Sequence, residues 1–195
     1  ILPVILLLST SIVFYSISKL LGNDLGYIIG FIFYWLFWCI IIPYLFSRKN
    51  FFLLLKNKKK LFIKQNWWII ILLLSTIIAP IFMYFIPNIN KFSIIFILIS
   101  IPIALFNGLC EELLWRGLYI SFFSGDIVMV LIIPSIGFSL WHFAPQIVIP
   151  AEPGSILFVL LTLPLGIIYG LVAFVTQSAK WSAIAHGISG ILAFG

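Results

Sequence analysis

Long apolar segments, separated by short polar connections, run along nearly the whole chain. Each segment approaches or exceeds the ~20 residues that an α-helix needs to cross a bilayer. A bilayer requires backbone amides to be bonded within their own segment, and the sequence lacks the alternation of a membrane β-barrel. The pattern therefore predicts an all-α fold, a polytopic transmembrane helical bundle of about seven spans: residues 1–21, 27–46, 67–85, 93–122, 127–144, 156–176 and 181 to the end.

The fourth segment, residues 93–122, is too long for one upright span. It either tilts or breaks near Pro102, where the missing amide hydrogen and the ring disturb a helix. Glycine, asparagine and proline residues mark the connections between segments. Since no repeat of fixed period stands out, we interpret residues 1–195 as a single membrane-embedded domain.

The composition supports an integral membrane protein. Hydrophobic residues make up 64% of the chain, charged residues 8%, and the mean hydropathy is +1.27. Such a chain could not cover a water-facing surface. We expect no cleaved signal peptide, because apolar segments recur to the last residue. Cys39 and Cys110 lie in different apolar segments, and we interpret them as packing residues rather than a disulfide or a metal pair.

Seven of the eleven basic residues crowd the connection between the second and third segments. Cytoplasmic loops of membrane proteins are enriched in Lys and Arg, so we predict that this connection and the N-terminus lie inside, and the C-terminus outside. Most of the net charge of +6 then lies in one stripe of basic residues, which we expect to contact the anionic head groups of the lipid bilayer. No nucleic-acid partner is expected, because no soluble domain presents these residues. The seven are Arg48, Lys49, Lys56, Lys58, Lys59, Lys60 and Lys64.

Two acidic residues and an arginine stand inside the fourth apolar segment. Glu111 and Glu112 are adjacent, and Arg116 follows Glu112 by one helical turn. Placing a charged side chain within hydrocarbon costs free energy, so we expect these three residues to have a role that offsets this cost. The chain contains only three other acidic residues, all in predicted loops: Asp24, Asp126 and Glu152.

The spacing of the two glutamates indicates different roles. Glu112 and Arg116 share one helix face and can form an ion pair that offsets the cost of burying both. Glu111 points about 100° away from Glu112, towards Asn107 and Trp115. We therefore interpret Glu111 as a candidate general base, and Glu112 as the structural partner of Arg116. The alternative is a purely structural polar clamp between helices.

Both histidines of the chain lie in apolar segments, His142 in the fifth and His186 in the seventh. At ~1.5 Å per residue, Glu111 lies about 17 Å and His142 about 22 Å from the same side of the bundle. These two residues can therefore meet at a similar depth. His186 lies only about 8 Å from the start of its segment, so it joins them only if its helix starts near Gln177 or is tilted.

These polar residues form three motifs that resemble the CAAX prenyl endopeptidase and bacteriocin-processing family of intramembrane proteases, also called the Abi family. The motifs are Glu-Glu-x-x-x-Arg, Phe-x-x-x-His, and a histidine near the start of the last helix. Each motif alone is weak, but their order and separation in a polytopic chain make a strong signal. The resemblance covers the motif-bearing core, residues 101–195, at Glu111, Glu112, Arg116, Phe138, His142 and His186.

The resemblance implies hydrolysis of a peptide bond in a peptide or membrane-protein substrate. It implies that Glu111 with His142 activates a water, and that His186 stabilises the developing oxyanion. One position departs from the pattern, because the last motif usually ends in Asn or Asp four residues after the histidine, and Gly190 stands there instead. Asn107, one turn before Glu111, is the alternative source of an amide donor.

The sequence leaves the use of a metal open. Glu111, His142 and His186 are a sufficient ligand set for catalytic zinc, and equally for a metal-free site that activates water. The chain has no His-Glu-x-x-His motif, and a base role for Glu111 leaves only two clear ligands. We therefore predict no cofactor, with zinc as the alternative.

The resemblance favours the bacterial branch of the family, which is linked to bacteriocin maturation and self-immunity, in the bacterial cytoplasmic membrane. A non-catalytic membrane immunity or scaffold protein that retains the polar cluster is the competing hypothesis, and Gly190 favours it. A transporter is the third, since buried Glu and His relay protons, although inverted repeats and paired broken helices are not visible. The sequence leaves the oligomeric state open.

Overall fold

The computed structural model describes residues 1–151 and 154–193, and within them the chain forms helices and connections. Six helices are long and apolar enough to cross a membrane, and a shorter seventh follows them. The predicted all-α polytopic bundle is therefore confirmed. The predicted loop position of Glu152 lies outside the described residues. The helices are α1 Leu2–Leu21, α2 Asn23–Leu55, α3 Lys64–Lys91, α4 Ile94–Phe123, α5 Val128–Gln146, α6 Ser155–Thr176 and α7 Lys180–Ala193.

The helix α4 does not break at Pro102. It is regular α-helix from Ile94 to Glu112, and the irregular part follows as a π-helical turn over Leu113–Leu118. A π-helical turn inside an α-helix often marks a functional site. Here it begins directly after the two glutamates and contains Arg116.

An aromatic cluster joins α2, α4 and α5 beside α1. The Tyr34 ring stacks on the Trp141 ring with 3.8 Å between the centroids. The Trp115 indole nitrogen donates a hydrogen bond of 2.9 Å to the Tyr34 hydroxyl. All three side chains are fully or almost fully buried, so this cluster fixes the first half of the chain against the motif-bearing helices.

The helices α4 and α7 approach each other at Gly108 and Gly187. A Cβ atom added at Gly108 would lie 2.5 Å from the Gly187 backbone nitrogen, so only glycine allows this approach. Small residues permit such close backbone contact between membrane helices. The crossing brings Glu111 and Glu112, which follow Gly108 by about one turn, beside His186.

The basic connection between α2 and α3 is tied to the turn between α6 and α7. The Leu54 carbonyl accepts a hydrogen bond of 2.9 Å from the Ala179 amide. The Thr176 carbonyl accepts hydrogen bonds from the amides of Lys58 and Lys59, each 3.1 Å. These bonds hold the lysine-rich segment at the end of the bundle where α7 begins.

Candidate active site

A buried ion pair lies at the centre of the polar cluster. Nη1 of Arg116 donates to Oε1 of Glu112 over 2.8 Å, and both side chains are fully buried. Nη2 of Arg116 donates to the Gly166 carbonyl over 3.0 Å, and the guanidinium lies 4.7 Å from the centroid of the Phe138 ring. The pair expected from the sequence spacing is therefore present, and Arg116 also ties α4 to α5 and α6.

His186 lies between the two glutamates. Its Nδ1 atom lies 3.1 Å from Oε1 of Glu112, and its Nε2 atom lies 3.5 Å from Oε2 of Glu111. The Tyr169 ring stacks on the imidazole with a centroid separation of 5.1 Å, and the Phe138 ring meets its edge at 5.7 Å. Four side chains from α4, α5 and α6 thus fix the orientation of His186.

One hydrogen-bond direction in this cluster follows from the chemistry of its atoms. Nδ1 of His186 donates to Oε1 of Glu112, since an ionised carboxylate only accepts. Nε2 of His186 faces Oε2 of Glu111 at 3.5 Å, and no hydrogen bond joins these two atoms. The Arg116 guanidinium neutralises the Glu112 carboxylate, which offsets the cost of burying both charges.

One oxygen of the Glu111 carboxylate is left without a hydrogen bond in the described part of the chain. Glu111 is 1% exposed, and its Oε2 atom is buried and unsatisfied. An unpaired buried acceptor is costly, and such groups are often found where a site awaits a ligand or water. The carboxylate is therefore available to accept a proton from a reacting group.

His142 reaches the same cluster across the Phe138 ring. Its Nδ1 atom lies 2.7 Å from the Phe138 carbonyl oxygen, which can only accept, so Nδ1 carries a hydrogen. In the neutral ring Nε2 is then an acceptor. The Phe138 ring meets His142 at 4.7 Å and His186 at 5.7 Å, so the two imidazoles flank one phenyl ring. Glu111 and His142 form no hydrogen bond or ion pair within residues 1–151 and 154–193, and the close partner of Glu111 is His186.

Asn107 has an orienting partner that the sequence reading missed. The Trp35 indole nitrogen donates a hydrogen bond of 2.7 Å to the Asn107 side-chain oxygen. An indole nitrogen only donates, so this contact assigns the oxygen, and the Asn107 amino group is the part of the side chain that faces Glu111. Gly190 lies on α7 one turn after His186 and brings no side chain to the site.

The role of Tyr169 was also missed. Its ring stacks on His186, and its hydroxyl shares a hydrogen bond of 3.0 Å with Ser189. A tyrosine inside an apolar span needs a partner for its hydroxyl, and this signal was present in the sequence. Trp35 gave a similar signal, because a buried indole nitrogen also needs an acceptor.

The three predicted zinc ligands do not form a ligand set as they are arranged. Among the residues that the structure describes, no group of three or more His, Cys, Asp or Glu side chains is close enough to hold a metal ion. Nε2 of His186 faces Glu111, and Nδ1 of His142 is used by the Phe138 carbonyl. We therefore derive no step of the reaction through a metal.

Comparison with protein-family models matches residues 90–192 to the family described as type II CAAX prenyl endopeptidase Rce1-like. The match covers more than half of the chain and includes the residues from Glu111 to His186 that form the cluster. A search of curated proteins and a search of solved structures found no match.

Proposed function

The chain belongs to the Rce1-like family of type II CAAX prenyl endopeptidases, and from this premise we propose that it hydrolyses a peptide bond at or in the membrane. The family supports an intramembrane peptidase of the CAAX type. One observation supports particular residues as the catalytic groups: the Oε2 atom of Glu111 is buried, has no hydrogen bond, and lies 3.5 Å from Nε2 of His186.

Glu111 is the proposed general base. Its ionised carboxylate removes a proton from a water molecule, and the water oxygen bonds to the carbonyl carbon of the substrate. The carbonyl electron pair moves to its oxygen, giving a tetrahedral intermediate. When the intermediate collapses, the carbon–nitrogen bond breaks and the departing amine takes the proton from Glu111. The products are a carboxylic acid and an amine, as peptide hydrolysis requires.

His186 and Asn107 are the proposed stabilisers of the oxyanion. His186, held by the Glu112 hydrogen bond and by Tyr169, directs its Nε2 atom to the space beside Glu111, where an N–H at that atom would meet the developing negative charge. The Asn107 amino group, oriented by Trp35, offers a second donor. This arrangement compensates for the missing side chain at Gly190.

His142 is proposed to position the attacking water. Its Nε2 atom is an acceptor in the neutral ring, because Nδ1 donates to the Phe138 carbonyl. A water held between Nε2 of His142 and Oε2 of Glu111 would have one hydrogen directed to each acceptor. Proton transfer to either residue then raises the nucleophilicity of the water oxygen.

The proposed biological setting is the bacterial branch linked to bacteriocin maturation or self-immunity, with a peptide or membrane-protein substrate. The motif resemblance supports this choice.

A peptidase assay on the purified chain in detergent tests the proposal. Wild-type protein should cleave bacteriocin-precursor or prenylated CAAX peptides, and Glu111→Gln should lower kcat by about a hundredfold or more, as expected for loss of a general base. Asp24→Asn, which removes an exposed carboxylate at the start of α2, is the matched control and should retain full turnover. Absence of cleavage by folded wild-type protein on every peptide would favour the second candidate, a non-catalytic immunity or scaffold protein, for which Gly190 is the supporting observation.

A further inference from the structure

A concave region lies at the end of the bundle where the basic connection meets the start of α7. It has a volume of about 870 Å³. Lys58, Lys59 and Lys60 form one wall, and residues 124–125, between α4 and α5, form another. The described residues that line it do not include any member of the buried glutamate and histidine cluster. It is therefore a separate site.

Backbone hydrogen bonds hold the three lysines at this cavity. The amides of Lys58 and Lys59 donate to the Thr176 carbonyl, and the Asn66 side chain donates to the carbonyls of Lys60 and Leu61 at 3.2 and 3.1 Å. The lysine side chains are exposed. The ion pairs found among the described residues all belong to the buried cluster, so these ammonium groups have no carboxylate partner there.

The charge of the cavity favours an anion. The charged residues in its described lining are all lysines. The nearest acidic residue along the chain, Asp126, caps α5, where its carboxylate accepts hydrogen bonds of 2.9 and 3.2 Å from the amides of Val128 and Met129. Three consecutive ammonium groups on one wall repel one another, and a multivalent anion between them relieves that repulsion.

The rest of the lining suits an amphiphilic ligand. Ile63, Phe174 and Val175 add apolar surface to the lining, and Gln177 adds a polar group. Phe62, next to this wall, packs edge-on against Trp181 at 4.9 Å. Aromatic residues of this kind gather at the level of the head groups in a membrane.

We propose that this cavity binds a phosphate group, with an anionic lipid head group or a soluble phosphate as its source. The volume lies within the range of ~300–1,000 Å³ that is typical of small-molecule sites. The three lysines meet the phosphate oxygens, and the apolar wall meets the glycerol and upper acyl chains when the source is a lipid. On this proposal, the stripe of basic residues contains one defined binding site, and its other residues attract the anionic head groups of the bilayer without a defined site.

Thermal unfolding of the full chain tests the proposal. The protein is placed in phosphatidylcholine nanodiscs with increasing fractions of phosphatidylglycerol, and in a separate arm in zwitterionic detergent with increasing inorganic phosphate. A ligand that binds only the folded state raises the Tm in proportion to its occupancy, so the titration gives an apparent affinity. A response to inorganic phosphate identifies a soluble phosphate as sufficient, and a response to phosphatidylglycerol alone identifies the lipid.

Two matched triple variants separate a site from diffuse charge. Lys58→Gln/Lys59→Gln/Lys60→Gln removes the lysines of the cavity, and Arg48→Gln/Lys49→Gln/Lys56→Gln removes the same charge from exposed positions of the same basic stripe outside the cavity. A lysine near an anionic surface contributes about a fivefold change in affinity, so the first variant should weaken binding roughly a hundredfold. The second variant should weaken phosphate binding by only about tenfold or less, if the cavity rather than the net charge of the chain determines the affinity.

A third variant tests the cavity without changing charge. Ser124→Trp places an indole in the space opposite the lysines, at an exposed position. It should weaken binding while leaving the Tm in pure phosphatidylcholine unchanged. Equal losses in the two triple variants, or full binding by Ser124→Trp, would overturn the proposal. Because none of these residues belongs to the proposed active site, peptide cleavage in detergent should persist in all three variants, which separates this test from that of the proposed function.

Discussion

Removing the charge of Glu112 should destabilise the protein far more than removing the charge of Glu111. The two residues are adjacent, and both are buried almost completely. Oε1 of Glu112 accepts hydrogen bonds from both Arg116 and His186, at 2.8 and 3.1 Å. Within the described part of the chain, the close polar contact of the Glu111 carboxylate with a basic side chain is the one with His186, at the longer distance of 3.5 Å. Glu112→Gln and Glu111→Gln therefore make the same change of side chain at two buried, adjacent positions. They differ in the contacts that the removed carboxylate made.

The expected difference follows from the charge left behind. Glu112→Gln leaves the fully buried guanidinium of Arg116 without a counter-charge, and breaking a buried pair costs ~3–5 kcal/mol. Glu111→Gln removes a carboxylate that has no arginine partner and whose Oε2 atom has no hydrogen bond, so the neutral side chain should cost about 1 kcal/mol or less, the net value of one hydrogen bond. For a chain of this length each kcal/mol lowers the Tm by roughly 2–4 °C. Glu112→Gln should therefore lower the Tm by about 6–20 °C.

Thermal unfolding in one detergent, at one scan rate, measures this ranking. The double variant Glu112→Gln/Arg116→Met should regain much of the lost stability, because it removes both charges of the pair. Peptide cleavage by this double variant should nevertheless remain slow, because His186 has lost the carboxylate that orients its Nδ1 hydrogen. If Glu111→Gln lowers the Tm as much as Glu112→Gln does, the roles assigned to the two glutamates are wrong.

Three further predictions address the remaining parts of the site. Asn107→Ala should lower kcat by roughly a hundred- to a thousandfold with little change in KM, as expected for loss of an oxyanion donor. If Asn107 is that donor, Gly190→Asn should not change the cleavage rate. A faster Gly190→Asn enzyme would instead identify Gly190 as the position of the missing donor. Tyr169→Leu should lower kcat by removing the ring that stacks on His186, whereas Tyr169→Phe should retain most of it; equal kinetics for the two variants would contradict this positioning role. Gly108→Val should lower the Tm or prevent folding, because overpacking costs typically ~1–3 kcal/mol, and the lipid-facing control Leu98→Val should not.

The sequence predicted the spans well because the thickness of the bilayer sets the length of an apolar segment. It also predicted the ion pair, since residues four apart on a helix always share a face. These two features depend on local chain geometry. They need no knowledge of how one helix packs against another.

The contact between His186 and both glutamates could not be predicted in the same way. The estimate of depth assumed that all helices begin at one level, whereas α7 begins at Lys180 and is positioned by its crossing with α4 at Gly108. The hydrogen bond from Trp35 to Asn107 joins residues 72 positions apart and likewise depends on helix packing. A single sequence gives no signal for such distant pairs.

The crossing of α4 and α7 at two glycines also affects how the site responds to its membrane. Bilayers of different thickness change the tilt of membrane helices. Because Gly108 and Gly187 bring the two backbones into direct contact, this crossing acts as a pivot about which both helices can tilt. Glu111 and His186 lie within one turn of the pivot, so the distance between them should change little while the helix ends move. We therefore expect peptide cleavage in vesicles to vary little with acyl-chain length, and a steep dependence would show that the crossing is not such a pivot.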